Sequence, residues 1–408
     1  MDDALTAEWT AIQRSLRSSV IDTDDDDACA ADFFASSLQQ PLHQRQHHNQ
    51  IIPPLSTSSK FGSPAAIFGG LDISFPNPSA DADADAAAAP LTSVSSYVLL
   101  DSTFLRLLHE EHRASFAFLP PYVAGFLSFR ELPLVVPLVS SSSSFASLPT
   151  VLLVDGNGLL HPNSFGSASH IGVSLNVPSI GVSKSLHSFI PGVTIETVKS
   201  RFKTFTDSWL EETTTHVPEE GSVVVIGAVG GGVGPPPAFE DDDDDDEDSA
   251  DGDDKPREEE EAKRLYQFPV RALSSPASAC KTAVPSLALL IYNSSPVSSS
   301  SCSSSSSSSS VRRPIGAAFL KSGLSSPIFV SVGHRISLRT AIQIVDKCSF
   351  YRVPEPIRQA DIRGRERVRM EVAAAGAAKA AARTAAAPVA AAATTTTAAN
   401  SSNKNNIT

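Results

Sequence analysis

The chain has 408 residues, a formal net charge of −13 and only four cysteines. Its length suggests two or three domains, but serine runs at 140–144 and 298–310, an acid block over 240–261 and Ala/Thr-rich sequence over 372–399 bury too little apolar surface to offset the entropy of ordering them. The sixteen acids of 240–261, against Lys255 and Arg257, hold almost the whole imbalance. The rest is near neutral, which excludes the strongly basic body of an indiscriminate nucleic-acid binder.

The acid run reads as a solvated loop, with an electrostatic gate that competes with phosphates as the minor alternative. About 230 residues then remain, the size of one well-buried α/β domain. Cys29, Cys280, Cys302 and Cys348 have no CxxC spacing and no adjacent histidines, against both a zinc site and a secreted disulfide framework. No apolar run reaches the length of a membrane span, and Met1-Asp2-Asp3 does not open a signal peptide. A cytoplasmic protein is expected, with nucleus or nucleolus as further locations, no membrane partner, and a monomeric state.

In chain order, residues 5–20 place Trp9, Ile12, Leu16 and Val20 at helical spacing, a packing helix. Residues 22–63 read as disordered, including His43, His47 and His48, which lack a fold to position them as ligands. Ala66–Phe75 is the first core strand, with Asp72 inside it, where a carboxylate is costly unless paired or metal-bound. Beyond the low-complexity stretch 79–90, Tyr97–Leu100 and Phe104–Leu108 read as antiparallel strands. Pro120-Pro121-Tyr122 precedes a helix from about Leu127, in which Glu131 serves either the helix dipole or a ligand. Val151–Val154 is a buried strand ending in Asp155-Gly156-Asn157-Gly158, at the carboxyl end where open α/β sheets place ligands. A small-residue helix over 166–175 and a strand over 177–182 follow and deliver Lys184, one βαβ unit.

Residues 188–310 read mostly as insertion, with a helix over 195–209 and a strand over 223–226. The Gly-rich segment 227–234 runs into Pro235-Pro236-Pro237, so no helix can open there to cradle phosphate. Residues 315–320 and 328–332 form a hairpin, and Ser337 caps a helix with Ala341, Ile342 and Val345 inward. The tail from 367 reads as a disordered Ala/Thr-rich extension. The chain divides into one domain, 1–366, interrupted at about 22–63, 79–90 and 188–310, and the tail 367–408.

Five ordered blocks resemble one nuclease family: Phe68-Gly69-Gly70-Leu71-Asp72-Ile73-Ser74-Phe75; Pro121-Tyr122-Val123-Ala124-Gly125-Phe126-Leu127-Ser128-Phe129-Arg130-Glu131; the stretch 151–185; Ser331-Val332-Gly333-His334-Arg335-Ile336-Ser337-Leu338; and Tyr351-Arg352-Val353-Pro354-Glu355-Pro356-Ile357-Arg358-Gln359-Ala360-Asp361. Together they are similar to endonuclease V, which cuts nucleic acid near deaminated purines. The resemblance implies an α/β, RNase H-like mixed sheet with an antiparallel three-strand start, flanked by helices and broken by long disordered insertions. It implies Asp72, Glu131 and Asp155 as metal ligands and Tyr122 as a wedge that stacks where a flipped base stood. Val123-Ala124 and the continuation Gln359-Ala360-Asp361-Ile362 resemble the eukaryotic branch. That branch implies inosine-containing single-stranded RNA as partner, cut at the second phosphodiester 3′ to inosine. The chain departs from the family in its long insertion between Lys184 and His334 and in Arg339, where an acid is common.

The chemistry fits these residue types. Three carboxylates suit Mg²⁺, with Mn²⁺ as substitute, because such ions take hard oxygen ligands plus water and substrate phosphate. Lys184 can meet phosphate or orient the attacking water. His161 and His334 are candidates to polarise water, contact phosphate or bind a second metal, each weighed against a purely structural histidine. Backbone near Gly125, Gly156 and Gly166 can approach a base closely. The alternatives are a DNA repair endonuclease acting on deoxyinosine and, in a different class, a module that binds inosine-containing RNA without cutting.

Overall fold

Among the described residues ten strands form a single sheet; counted in chain order, they lie from edge to edge as 1-7-8-9-10-6-5-2-3-4. The computed structural model describes residues 3–24, 50–52, 54–55, 59–76, 91–116, 119–120, 122–141, 149–186, 189–191, 193–211, 222–229, 284–292 and 313–399. The strands are β1 (Gln50–Ile52), β2 (Ile67–Ser74), β3 (Ser93–Asp101), β4 (Leu107–Ser115), β5 (Val151–Asp155), β6 (Ser179–Ser183), β7 (Val223–Val229), β8 (Ser286–Tyr292), β9 (Pro314–Leu320) and β10 (Ile328–His334). The helices are α1 (Asp3–Arg17), α2 (Leu127–Ser141), α3 (Ser167–Leu175), α4 (Ile195–Glu211), α5 (Leu338–Cys348) and α6 (Glu355–Ala399).

The antiparallel start is β2-β3-β4, and β2, β5 and β6 run parallel. Alternation along these strands separates two cores. Leu71, Tyr97, Leu99, Leu152 and Val154 face Val135, Leu138 and Val139 of α2 and Ile171 of α3. Phe68, Leu100, Val151, Leu153 and Ile180 lie in the other core, with Ala341, Ile342 and Val345 of α5 and Ile357 of α6. Helices on both faces explain why β5 and β6 read as continuous apolar runs. Pro133 and Pro137 each remove a backbone donor inside α2; four residues apart, both are exposed.

The helix α1, the βαβ unit and the 315–332 hairpin form where expected, and Ser337 Oγ accepts from the Thr340 amide as the α5 cap. Four expectations are corrected. Phe104 and Leu105 belong to a turn, and β4 is the charged stretch Leu107–Ser115; an edge strand half open to water needs no apolar run. The 22–63 stretch contributes β1 and buries Ile52 and Phe61. Within 188–310 the expected helix and strand form as α4 and β7, but the stretch also supplies β8, buried throughout between β7 and β9. The tail is helical to Ala399, since alanine has the highest intrinsic helix propensity.

The cluster His43, His47 and His48, the stretch 79–90, the acidic run 240–261 and the serine run 298–310 lie outside the described residues. Among the described residues no helix is long and apolar enough to cross a membrane. The described part forms one compact unit, within residues 1–231 and 284–408.

Candidate active site

Strand register brings the first two acids together. Leu71 pairs with Val154 across the parallel β2–β5 pair, so the next residues, Asp72 and Asp155, stand level. Neighbouring strands lie about 4.8 Å apart, and level residues on parallel strands point to the same face. Asp155 in turn pairs with Val182 of β6, and Lys184, two residues on, reaches back to place Nζ 2.9 Å from Asp155 Oδ2.

Glu131 comes from α2, beyond its first turn, so the dipole explanation does not apply to it. Its carboxylate hydrogen-bonds Ser167, at the start of α3. Gly156 lets the chain pass there: a Cβ at Gly156 would lie 3.2 Å from Ser167 Cβ.

A fourth acid, Asp361 of α6, joins the group through its charge on Asp72. Gly364, one turn on, allows this approach, because a Cβ there would lie 2.6 Å from Ser96 Oγ and 2.7 Å from Ser74 Oγ. Nothing in the spacing of the arginine-rich helix sequence marks Asp361 as different from its neighbours, and Arg365 pairs with it within the helix.

The electrostatics record the crowding. Burial, then the charges of Asp155 and Asp361, push Asp72 up to about 7, against Lys184 and a hydrogen bond from Ser74. Burial, then Asp72 and Asp155, push Glu131 up to about 8, against Arg130 and Ser167. Burial pulls Lys184 down, but the charge and hydrogen bond of Asp155, with Asp361 and Asp72, more than offset it, and the net direction is up. Among the described residues no three His, Cys, Asp or Glu side chains already stand close enough together to hold a metal ion. The donor set nevertheless fits a hard divalent cation: oxygen ligands only, crowded like charge, and partial burial.

The two histidines are each tied into hydrogen bonds with the backbone. His161 is buried, and its Nε2 donates to the Gly125 carbonyl at 2.9 Å while Nδ1 accepts from the Asn163 amide at 3.2 Å. Gln13 of α1 supplies a second donor to the same carbonyl at 2.9 Å and accepts from Asn163 Nδ2 at 2.8 Å. The helix thus does more than pack; in the sequence the signal is Gln13 four residues after Trp9, a polar side chain on the apolar face, and it is buried. His334 pairs with Ser179, and Ser179 with Leu152. That is three residues back from Asp155, roughly 10 Å along the strands, and His334 Nδ1 accepts there from the Ile21 amide at 3.3 Å.

Tyr122 is 59% exposed on the loop ahead of α2. Gly125, in that loop, has φ +84°, a left-handed conformation that suits glycine. The Gly156 amide donates to Val182 at 2.9 Å, extending the ladder past Asp155. Gly166 is committed to the fold: its amide donates to Gly158, its carbonyl accepts from His170, and a Cβ there would strike the Asn157 carbonyl. It shapes the 156–158 turn.

The sequence matches the family Endonuclease V over residues 50–219 and 289–362, more than half of the chain. It is 29% identical to Endonuclease V of Mus musculus over 303 residues, 74% of this chain and 59% of that protein. To Endonuclease V of Homo sapiens it is 28% identical over 303 residues, 74% of this chain and 71% of that protein. The fold is similar to the catalytic domain of human Endonuclease V (TM-score 0.50, 23% identity, 91% of this chain and 99% of that one). It is likewise similar to Ciona intestinalis Endonuclease V, solved with a 24mer DNA containing an inosine followed by a ribo-adenosine (TM-score 0.51, 22% identity, 90% and 99%). With matching blocks that carry the sheet, the crossing helix and its acids, this chain belongs to the endonuclease V family.

Proposed function

We propose that this protein is a divalent-metal-dependent endonuclease that cuts inosine-containing single-stranded RNA at the second phosphodiester 3′ to inosine. The observation that carries the reading is the level pair Asp72 and Asp155, electrostatically coupled to Glu131 and Asp361. Asp72, Glu131 and Asp155, with Asp361 beside them, would hold Mg²⁺ or Mn²⁺. Such an ion, when bound, neutralises phosphate charge and lowers the pKa of a water.

The chain's own residues do the rest. Lys184, half exposed beside Asp155, offers an ammonium to the scissile phosphate. Tyr122 offers an open ring to fill the gap left by an unstacked base. The Gly125 turn, held by Gln13 and His161, sets where that ring stands. A non-cleaving module would keep no reason to crowd four acids at this cost.

Deoxyinosine in DNA is the second reading, favoured by the DNA strand in the Ciona complex. Three matched single strands separate them: inosine in RNA, inosine in DNA, and inosine in DNA followed by one ribonucleotide. Cutting of RNA and of the mixed strand at least tenfold faster than DNA supports the ribonuclease reading, and an equal or faster rate on DNA overturns it. Calorimetric Mn²⁺ binding that is lost in Asp155→Asn tests the metal independently of cleavage.

A further inference from the structure

Two aromatic rings stand open to solvent on the loop that joins α5 to α6: Phe350 is 65% exposed and Tyr351 56%. Burial normally claims such side chains, and here two adjacent ones are left out. Two independent contacts tie the loop to the acidic site. Arg352 Nη2 donates to the Lys184 carbonyl at 2.8 Å and to the Pro327 carbonyl at 3.0 Å. That fixes the loop against the residue whose ammonium meets Asp155.

On the other side, the Arg358 guanidinium lies 4.5 Å from the Tyr351 ring centroid. Arg358 forms a two-point pair with the buried Glu355, at 2.8 Å for each bond, and carries the charge influence of Asp361, one helical turn on. Tyr351 is therefore more than half exposed and backed by a cation that Glu355 holds in place and that feels the charge of Asp361.

We propose that Phe350 and Tyr351 form a base-stacking platform for a nucleotide flanking the cleavage site in a single-stranded substrate. The inference rests on the nuclease reading above and adds a subsite to it. Every base has a π face, so such a platform grips the strand without reading its sequence. A rim cation such as Lys184 holds the phosphate while the neighbouring base lies on the ring. The arginine behind Tyr351 strengthens the stack through the ring quadrupole. A protein partner is the competing occupant, but Arg352 follows the two rings in the chain and Arg358 lies over Tyr351, which suits a polyanion.

The test uses the full chain with single-stranded oligonucleotides carrying one inosine, and 2-aminopurine placed in turn at each flanking position. Stacking quenches 2-aminopurine, so the wild type should quench one flanking position on binding. Tyr351→Ala and Phe350→Ala should lose that quench and raise KM about tenfold, with kcat within twofold; Tyr351→Phe should keep both. Both side chains are exposed, so an unchanged melting temperature separates loss of stacking from loss of fold. Quenching nowhere in the wild type, or an unchanged KM in both alanine variants, overturns the platform. A wild type that quenches but cuts none of the inosine strands instead overturns the nuclease reading and leaves the platform standing.

Discussion

The imidazole of His161 donates its Nε2 proton to the carbonyl of Gly125 at 2.9 Å, and this bond sets the turn that follows Tyr122. The neighbouring amide of Asn163 fills the other ring nitrogen. A histidine with both nitrogens engaged positions the Tyr122 loop. His161→Ala should take the acceptor from the Asn163 amide and one of two donors from the Gly125 carbonyl, which keeps Gln13, and cost about 1 kcal/mol of stability. Its cleavage should fall about tenfold, mainly through KM and through weaker discrimination between inosine and adenosine. Steady-state kinetics on both strands, with a melting curve, check this. A kcat loss of three orders of magnitude at constant KM would return His161 to the chemistry.

Asp72 and Asp155 emerge from level positions of adjacent parallel strands. Asp72→Asn and Asp155→Asn should each lower kcat more than about a hundredfold, beyond the loss usual for a residue that merely orients a ligand. For Asp72→Asn the melting temperature should rise or stay level, because the change removes one of several crowded like charges, whereas Asp155→Asn also gives up the pair with Lys184. Single-turnover cleavage and calorimetry measure the two effects separately. Cleavage within a few-fold of wild type for Asp155→Asn contradicts ligation there.

Asp72 and Glu131, pushed up to about 7 and 8, link stability to pH. Their native forms hold protons that the unfolded chain releases near pH 4, so the native state binds more protons across the interval and stability falls as pH rises. With a chelator present, the contribution is complete below about pH 4 and lost by about pH 8. The melting temperature should therefore decline from pH 5 to 8. Mg²⁺ should restore more stability at pH 8 than at pH 6, since it competes with those protons. Asp72→Asn should flatten the slope.

Gly364 lies against the hydroxyls of Ser74 and Ser96. Gly364→Ala should displace α6 by tenths of an ångström, cost about 1–3 kcal/mol as overpacking does, and shift Asp361 relative to Asp72. Cleavage should fall, and Ser96→Ala in the same chain should recover part of both losses. Additive losses in that double variant would contradict the contact.

Much of the core was legible from the chain alone. Short apolar runs bounded by Asp-Gly and Pro mark β2, β5, β6 and the β9–β10 hairpin, because strands buried on both faces need nothing but apolar residues. The edge strands β1 and β4 and the inserted strand β8 were not legible, although β7 was. β4 is charged because one side meets water, and β8 lies in a stretch dominated by low-complexity sequence whose composition masks a six-residue apolar run, 287–292.

The order of residues by itself determined the apolar runs, the acids at their ends, and Lys184 just past β6. Only the tertiary structure decided that Asp72 and Asp155 stand level, that Asp361 joins them, and which backbone groups His161 and His334 meet. Periodicity reports which face a residue takes within its own element. Register between strands and the approach of a distant helix depend on contacts across the sheet, such as Gly364 against Ser74 and Ser96, and no local pattern encodes those.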